Sequence, residues 1–337
     1  MKFSDVLDIR NGRNQRQVEN ANGKYPIYGS GGVMGRATDF ICDAGTVVIG
    51  RKGSINNPFF VDEPFWNVDT AFGLVARRDV LLPKYLFYFC VNFDFEQLNT
   101  TVTIPSLTKA NLLQIEINVP DMDEQRYVVR VLDKICRLTD LQEQELHNLD
   151  QLVKSRFIEL FASVEAEDTL QNLCTFIDYR GKTPEKVESG LPFITAKNIR
   201  MHRMSFDTLE YISKETYDRV MTRGFPQIGD VVFTTEAPLG NVCRIPFIET
   251  EFYIGQRIIT MQTERLEPAY LEYALSSDEF KRKIAEKSSG STVTGIRSKL
   301  LEQLTIPVPP RALQERFAAF VEQTDKSKLC GKMEVAA

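Results

Sequence analysis

The chain has 337 residues, of which 43% are hydrophobic and 26% are charged, and its formal net charge at pH 7 is −5. This length suits two domains that each bury a core, and the negative charge argues against non-specific coating of nucleic acid. The sequence has no apolar stretch long enough to cross a bilayer and no apolar N-terminal signal, so we expect a cytoplasmic protein without a membrane partner.

Short strands are predicted between residues 25 and 76. Apolar runs rich in β-branched and aromatic residues alternate there with Gly, Asn and Asp, a pattern typical of strands. The runs are 25–28, 46–49, 59–61 and 72–75. A helix is predicted from Pro83 to Phe93, because proline favours the first helical turn and apolar residues follow on one face. A further hydrophobic strand is predicted at 113–119, just before Pro120.

Residues 124 to 162 carry one continuous helical pattern without Pro or Gly. Apolar residues recur there at spacings of three and four. At 1.5 Å per residue the helix would be about 60 Å long, too long to pack on one small domain alone. Its apolar seam predicts a partner helix. The predicted coiled-coil and partner contacts are Val128, Val131, Ile135, Leu138, Leu149, Leu152 and Phe157 on this helix, with Phe317 and Phe320 on a later one.

The second half repeats the order of the first. Its runs 191–194, 229–233 and 268–273 match 25–28, 45–49 and 83–88, and a strand, prolines and a helix close each copy. A repeat of this length predicts two homologous domains. The second helix, from Leu313, is shorter and weakens after Val321. If the helices pair antiparallel, part of the first stays uncovered, which is typical of a partner surface.

These patterns predict an α+β fold with two homologous mixed α/β domains, separated by long helices that form an antiparallel coiled coil. The predicted boundaries are 1–120 for the first domain, 121–165 for the central helix, 166–308 for the second domain and 309–337 for a short C-terminal helix.

Signals for catalysis are weak. The two histidines, His147 and His202, have no triad or metal partner in sequence, and no phosphate-binding loop motif occurs. The glycine run 29–35 misses the dinucleotide pattern at Met34, so a flexible loop after a strand is the better interpretation. Six cysteines show no C-x-x-C pair, which favours buried free thiols. We predict neither catalytic nor metal-binding residues.

Polar and basic loops follow matching strands in the two copies, but the loops differ while the apolar frames agree. Arg and Lys bond phosphates and guanine edges, and Asn bonds adenine. Each loop could equally be a solvated turn. The candidate DNA-contacting residues are Tyr28, Ser30, Arg36, Arg51, Lys52, Ser54, Asn56 and Asn57 in the first copy, and Thr195, Lys197, Asn198, Arg200, Thr234, Thr235, Glu236, Gln256, Arg257, Ser291 and Thr294 in the second.

Several of these runs resemble a known family, the specificity (S) subunits of type I restriction–modification systems. The opening of a target recognition domain in that family is similar to Tyr25-Pro-Ile-Tyr-Gly-Ser-Gly-Gly-Val-Met-Gly35. Gly50-Arg-Lys-Gly-Ser54 and Phe65-Trp-Asn67 fit the same type. Another common opening resembles Leu191-Pro-Phe-Ile-Thr-Ala-Lys-Asn-Ile199. The Val-Pro followed by a Glu-Gln or Gln-Glu pair and a helix, present twice, resembles the join to the family's helical regions.

This resemblance implies a non-catalytic DNA reader. Each recognition domain would read one half of a bipartite double-stranded DNA site. The coiled coil would set the spacing and dock two modification (methyltransferase) subunits, and restriction (translocase and nuclease) subunits would join them. The chain itself would hold no cofactor: S-adenosylmethionine, ATP and Mg would belong to the partner subunits. The final helix is short for this family.

Two other functions stay open on the residues alone. One is a coiled-coil scaffold whose globular ends bind proteins, which the long helix supports equally well. The other is a self-contained DNA methyltransferase, suggested only by Asn56-Asn-Pro-Phe-Phe60.

Overall fold

The structure is a computed structural model that describes residues 1–99, 101, 103–179, 181, 183–288 and 295–336, with backbone only for 330–336. It divides into two compact units, Met1–Leu141 and Gln142–Ala337. Among the described residues, no helix combines the length and the apolar character needed to cross a membrane.

The first unit is mainly strands, and one long helix leads out of it. In chain order its elements are α1 Phe3–Val6, β1 Leu7–Asn11, β2 Tyr25–Gly29, β3 Gly32–Ala37, β4 Thr46–Gly50, β5 Phe59–Val61, β6 Trp66–Asn67, β7 Ala71–Ala76, α2 Pro83–Asn92, a 3-10 turn Phe95–Leu98, α3 Lys109–Leu112 and α4 Met122–Phe161.

Two sheets form this unit. The four-stranded sheet has the order β1-β7-β4-β5 with antiparallel neighbours, and the three-stranded sheet has the order β3-β2-β6 with β2 and β6 parallel. All five residues of β4 are buried, which explains its unbroken apolar run. Phe3, Leu74 and Leu86 are fully buried in the core between the larger sheet and α2.

The second unit repeats this organisation with additional short elements. After α4 they are β8 Glu167–Thr169, α5 Leu170–Leu173, β9 Thr175–Asp178, β10 Leu191–Ile194, β11 Ile199–Arg200, β12 Arg203–Met204, β13 Glu210–Ile212, α6 Lys214–Val220, β14 Val231–Thr234, β15 Val242–Arg244, β16 Tyr253–Ile254, β17 Ile258–Gln262, α7 Pro268–Ser276, α8 Asp278–Lys287, α9 Ser298–Glu302, β18 Thr305–Pro307 and α10 Arg311–Ala336.

The sheet topology confirms the predicted duplication. The second four-stranded sheet has the order β9-β17-β14-β15, strand for strand the order of β1-β7-β4-β5. In the three-stranded sheet β13-β10-β16, β10 and β16 are parallel, as β2 and β6 are. The mixed α/β fold class and the predicted runs at β2, β4, β5, β7 and α2 are therefore correct.

Two expectations about local structure were wrong. Residues 113–119 do not form a strand: only Glu116 makes a β-bridge, to Lys2, because the chain that pairs with it turns into α1 at Phe3. The glycine run 29–35 is not a flexible loop, because β2 and β3 pair across it as a hairpin.

Each repeated frame closes on itself. In the first unit the Met1 amino group donates to the Ile117 carbonyl at 2.9 Å, and the Ile117 amide donates back to the Met1 carbonyl at 2.8 Å. In the second unit β8 pairs antiparallel with β18, and the Val308 amide donates to the Ala166 carbonyl at 2.7 Å. The two ends of each repeated frame therefore lie side by side.

Within the second unit, the end of α4 packs antiparallel on α10. The Phe317 ring lies 5.4 Å from the Phe157 ring and 5.5 Å from the Phe161 ring, while Lys328 pairs with Asp150 at 2.7 Å. Residue numbers increase along one helix in the direction in which they decrease along the other, so the two helices run antiparallel. The helix α10 has 26 residues against 40 in α4, so it is the shorter one, although it continues well past Val321.

Candidate nucleic-acid interface

The loop after β4 has a tight backbone course that presents Arg51 and Lys52. The Arg51 amide donates to the Thr70 carbonyl at 2.7 Å, and the Leu107 amide donates to the Arg51 carbonyl at 2.9 Å. A Cβ atom on Gly50 would lie 2.1 Å from the Ser54 carbonyl oxygen, so only glycine fits there. The loop is a fixed support for its side chains.

Arg51 stands at the edge of a small cavity of about 300 Å³. Its guanidinium lies 5.6 Å from the centre of the Phe72 ring, a cation–π arrangement that orients the side chain. The other lining residues are Asn11, Phe72, Ser106, Leu107, Thr108 and Lys109. Lys109 adds a second positive charge, although it was not among the predicted candidates. Two cations beside hydroxyl and amide groups suit a phosphate or a base edge.

The β2–β3 hairpin lies next to this loop. A Cβ atom on Gly53 would lie 3.5 Å from Ser30 Oγ, which places the hairpin turn beside the basic loop. Val33 and Met34 on the hairpin are 63% and 60% exposed. Exposed apolar side chains beside basic groups suit contact with a thymine methyl or a base step. Sequence reasoning missed both, because it treated the glycine run as an unstructured loop.

The other candidates of the first copy fall into two groups. Lys52, Ser54 and Asn57 are exposed, whereas the half-buried Tyr28 packs against Phe65, with ring centres 5.4 Å apart. Burial, and then repulsion from Glu63, raises the pKa of the Tyr28 phenol.

Arg36 and Asn56 are exposed but make contacts within the chain. The Arg36 guanidinium donates to the Lys24 carbonyl at 3.0 Å. The Asn56 amide donates to Asp94 at 3.0 Å and accepts from the Phe95 amide at 2.8 Å, so it anchors the 3-10 turn.

The second copy builds its loop on the same backbone contacts. The Thr235 amide donates to the Arg257 carbonyl at 2.9 Å, as Arg51 does to Thr70, and the Ile296 amide donates to the Thr235 carbonyl at 3.0 Å, as Leu107 does to Arg51. Thr235 therefore occupies the position of Arg51. Equivalent positions carry different chemistry in the two copies.

Several candidates of the second copy are internal. Asn198, Thr234 and Thr235 are at most 3% exposed. The Asn198 side chain accepts from the Thr195 amide at 2.9 Å and donates to the Ser205 carbonyl at 3.0 Å, so it shapes a turn. The Thr234 hydroxyl accepts from the Asn241 amide at 2.9 Å. These polar groups are engaged within the chain.

The remaining candidates of this copy lie at or near the surface. Lys197 and Arg200 are exposed, and Thr195 and Gln256 are half-buried. Arg257 pairs with Glu236 at 3.2 Å, which partly neutralises that loop. Two further candidates, Ser291 and Thr294, lie outside the described residues.

An internal ionic network joins the second domain to α10. The Glu272 carboxylate, 2% exposed, accepts from Arg244 at 2.6 Å and contacts His202 Nδ1 at 2.9 Å. Arg244 also pairs with Asp325 at 3.2 Å. Burial lowers the pKa of Arg244, but Glu272 and Asp325 outweigh it and leave the pKa raised. The sequence indicated none of these partners, because they are distant in the chain.

In the first unit, α2 is held on α4 by Asp133. Its carboxylate accepts from Lys84 at 2.7 Å and from the Tyr88 hydroxyl at 2.6 Å. Burial raises the pKa of Asp133, yet the bonds from Lys84 and Tyr88 leave it below its ordinary value. The helix α2 therefore rests on a fixed ionic contact.

The predicted partner residues divide between packed and exposed positions. Phe157, Phe317 and Phe320 pack where α4 meets α10, with Phe317 fully buried. Val128 and Leu149 are half-buried. An apolar stripe on α4 is exposed: Val131 37%, Ile135 52%, Leu138 49%, Leu141 51% and Leu152 51%. An exposed stripe of this size is typical of a protein-binding surface.

Metal-binding chemistry is not visible in the described part of the chain, where no group of three or more His, Cys, Asp or Glu side chains is placed to hold an ion. Cys42, Cys90 and Cys243 are buried free thiols as predicted, whereas Cys136 is exposed.

Comparison with known proteins identifies relatives along nearly the whole chain. A family model described as type I restriction modification DNA specificity domain matches residues 1–151 and 168–331. The specificity subunit of the type I restriction enzyme MjaVIII from Methanocaldococcus jannaschii is 20% identical over 314 residues, 84% of this chain and 70% of that protein. A putative type I restriction enzyme specificity subunit from Haemophilus influenzae is 20% identical over 333 residues, 90% of this chain and 80% of that protein.

A solved structure has the same fold. The crystal structure of a type I restriction–modification S subunit from M. genitalium aligns with a TM-score of 0.65 at 16% identity, covering 100% of this chain and 91% of that one.

Proposed function

Because the chain belongs to the type I restriction–modification DNA specificity family, we propose that each of its two recognition domains reads one half of a bipartite DNA site. The observation that carries this proposal is the pair of matching frames with unmatched loops. The sheets β1-β7-β4-β5 and β9-β17-β14-β15 agree, while Arg51 in one copy is replaced by Thr235 in the other. Two matching sheets whose loops carry different polar side chains suit the recognition of two different short DNA sequences.

The side chains proposed to reach DNA are accessible ones on loops, near strand ends and at the start of α3. In the first domain they are Ser30, Val33, Met34, Arg51, Lys52 and Lys109, and in the second they are Lys197, Arg200, Gln256 and Arg257. Asn56, Asn198, Thr234 and Thr235 are assigned a supporting role, because Asn56 anchors the 3-10 turn and the other three side chains are buried. Base contacts set specificity, whereas phosphate contacts set register and salt dependence.

The helices are proposed to set the spacing between half-sites and to dock two modification subunits. The exposed stripe from Val131 to Leu152 supports this role, because burying water-exposed apolar side chains against a partner lowers the free energy of the complex. Restriction subunits would complete the assembly. S-adenosylmethionine, ATP and Mg would be bound by those partners, and this chain would supply recognition without catalysis.

Methylation mapping tests the proposal directly. Genomes of cells with and without this chain, each carrying its partner subunits, should differ by adenine methylation at one bipartite, asymmetric motif. The proposal would be contradicted if the two genomes showed the same methylation, or if they differed at a continuous motif instead of a bipartite one.

A coiled-coil scaffold that binds only proteins is the second candidate, and the exposed stripe on α4 fits it as well. Co-purification of an adenine methyltransferase with sequence-specific DNA binding excludes it. A self-contained methyltransferase would transfer labelled methyl groups from S-adenosylmethionine with the purified chain alone.

A further inference from the structure

A buried glutamine joins the first recognition domain to its helix. Gln125, fully buried, is the fourth residue of α4. Its side-chain oxygen accepts from the Leu82 amide at 2.9 Å. Its side-chain nitrogen donates to the carbonyls of Val80 and Pro120, each at 2.9 Å. Leu82 is the N-cap of α2, and its own side chain makes no capping bond.

The second unit contains the same joint. Gln314, 2% exposed, is the fourth residue of α10. Its side-chain oxygen accepts from the Glu267 amide at 2.8 Å, and Glu267 is the N-cap of α7. Its side-chain nitrogen donates to the Pro309 carbonyl at 2.8 Å. In both copies the helix that receives the glutamine begins with proline, and the proline carbonyl lies five residues before the glutamine.

The partners of both glutamines are backbone groups. A joint made this way does not depend on which side chains the recognition domain carries at the contact positions. Because the site is buried, removal of the amide leaves backbone donors and acceptors without partners, which is costly. The amide therefore fixes where each long helix starts relative to α2 or α7, in the same way in both copies.

We propose that Gln125 and Gln314 are positioning residues that hold each recognition domain in one orientation on its helix and so fix the accepted spacing between half-sites. This inference rests on the proposed function. Neither residue need touch DNA. Half-site sequence is set by loops on the sheets, whereas spacing is set by the two glutamine joints together with the helices.

The test uses the complex of this chain with its modification subunits, and DNA carrying the mapped half-sites at the native spacing or one base pair longer or shorter. In Gln125→Met, Gln314→Met and the double variant, the affinity ratio between native and altered spacing should fall by about fivefold or more. The half-site sequences should stay unchanged. Matched controls are Gln144→Met on α4 and Gln323→Met on α10, both exposed.

A second variant keeps the test decisive if methionine prevents folding. A carboxylate in Gln314→Glu cannot donate to the Pro309 carbonyl, but the protonated acid can donate there and accept from the Glu267 amide. Spacing discrimination by this variant should therefore recover as the pH falls, while wild type measured at each pH should not gain. Wild-type discrimination in folded methionine variants, or no pH recovery in the glutamate variant, would overturn the inference. If wild type itself shows no preferred spacing, the proposed function fails first.

Discussion

Arg51 is the residue on which the proposed DNA contact of the first domain is most directly tested. We expect Arg51→Ala to weaken binding to the cognate site by about 1–3 kcal/mol, because the substitution removes the guanidinium that is proposed to make bidentate hydrogen bonds to a base edge. Titrations at several salt concentrations measure this. Arg126→Ala, an exposed helix variant whose partner is Asp123, is the control. An equal loss on unrelated DNA would show that Arg51 contacts phosphate only.

Glu272 is the residue on which the ionic network of the second domain depends. Glu272→Gln should lower the free energy of unfolding by about 2 kcal/mol, less than for a fully buried pair, because Arg244 keeps Asp325 and is partly exposed. Urea denaturation followed by circular dichroism gives the value. Glu322→Gln, an exposed pair with Lys326, should change stability by under about 0.5 kcal/mol. Equal effects would disprove the network's importance.

At this scale the sequence could nominate polar loops but could not tell which polar groups are accessible. Arg51 and Asn198 were selected for the same reason. The structure places the half-buried Arg51 at a cavity edge and encloses Asn198 within a turn. Whether an amide faces water depends on contacts such as Asn198 with Ser205, which no local pattern encodes. Gln125 was visible only as part of a helix start.

Among the elements, α4 carries the clearest surface for association. Ile135→Asp and Leu138→Asp should weaken binding of the modification subunits by at least about tenfold, because a charge would be buried against an apolar partner. Both side chains are about half exposed, so the stability of the isolated chain should stay within about 0.5 kcal/mol.

Co-purification and calorimetric titration measure that association. Arg137→Asp, an exposed change on the same helix, serves as the control. Full binding by both apolar-face variants would place the modification subunits elsewhere.

Helices and strands were the most predictable part of this molecule. Local periodicity encodes a 40-residue helix or a fully buried strand such as β4. The run 113–119 was misjudged because a strand needs an extended partner, and the segment beside it becomes helical at Phe3. The C-terminal helix α10 is shorter than α4, as expected, and it continues through the weakly periodic residues after Val321, since weak apolar periodicity does not by itself end a helix.

At the scale of the whole molecule, the duplicated frame predicts that each domain recognises its half-site independently of the other. Replacing residues 166–308 with the corresponding domain of a related specificity subunit should change one half-site and leave the other half-site and the spacing intact. Methylation mapping of the hybrid gives both halves in one experiment. The unaltered chain, mapped in the same cells with the same partner subunits, is the control. Changes in both halves would refute independent recognition.

The duplication itself was predictable, because the repeated order of strand, proline and helix survives in sequence. The strand-by-strand agreement of the two sheets was not predictable, because β1 and β9 share no obvious sequence motif. Each is recognised only by its pairing, β1 with β7 and β9 with β17. Long-range pairings of this kind leave no local trace.

The side-by-side ends of each recognition domain have a consequence for how such proteins diversify. Because Ala166 and Val308 bond directly, the segment between them is a continuous cassette whose two junctions coincide in space. Two recombination events in a gene could therefore import a foreign cassette without lengthening or shortening the path of the chain. Under the proposed function, selection would then act on one half-site at a time, and new specificities would arise by combination as well as by point mutation.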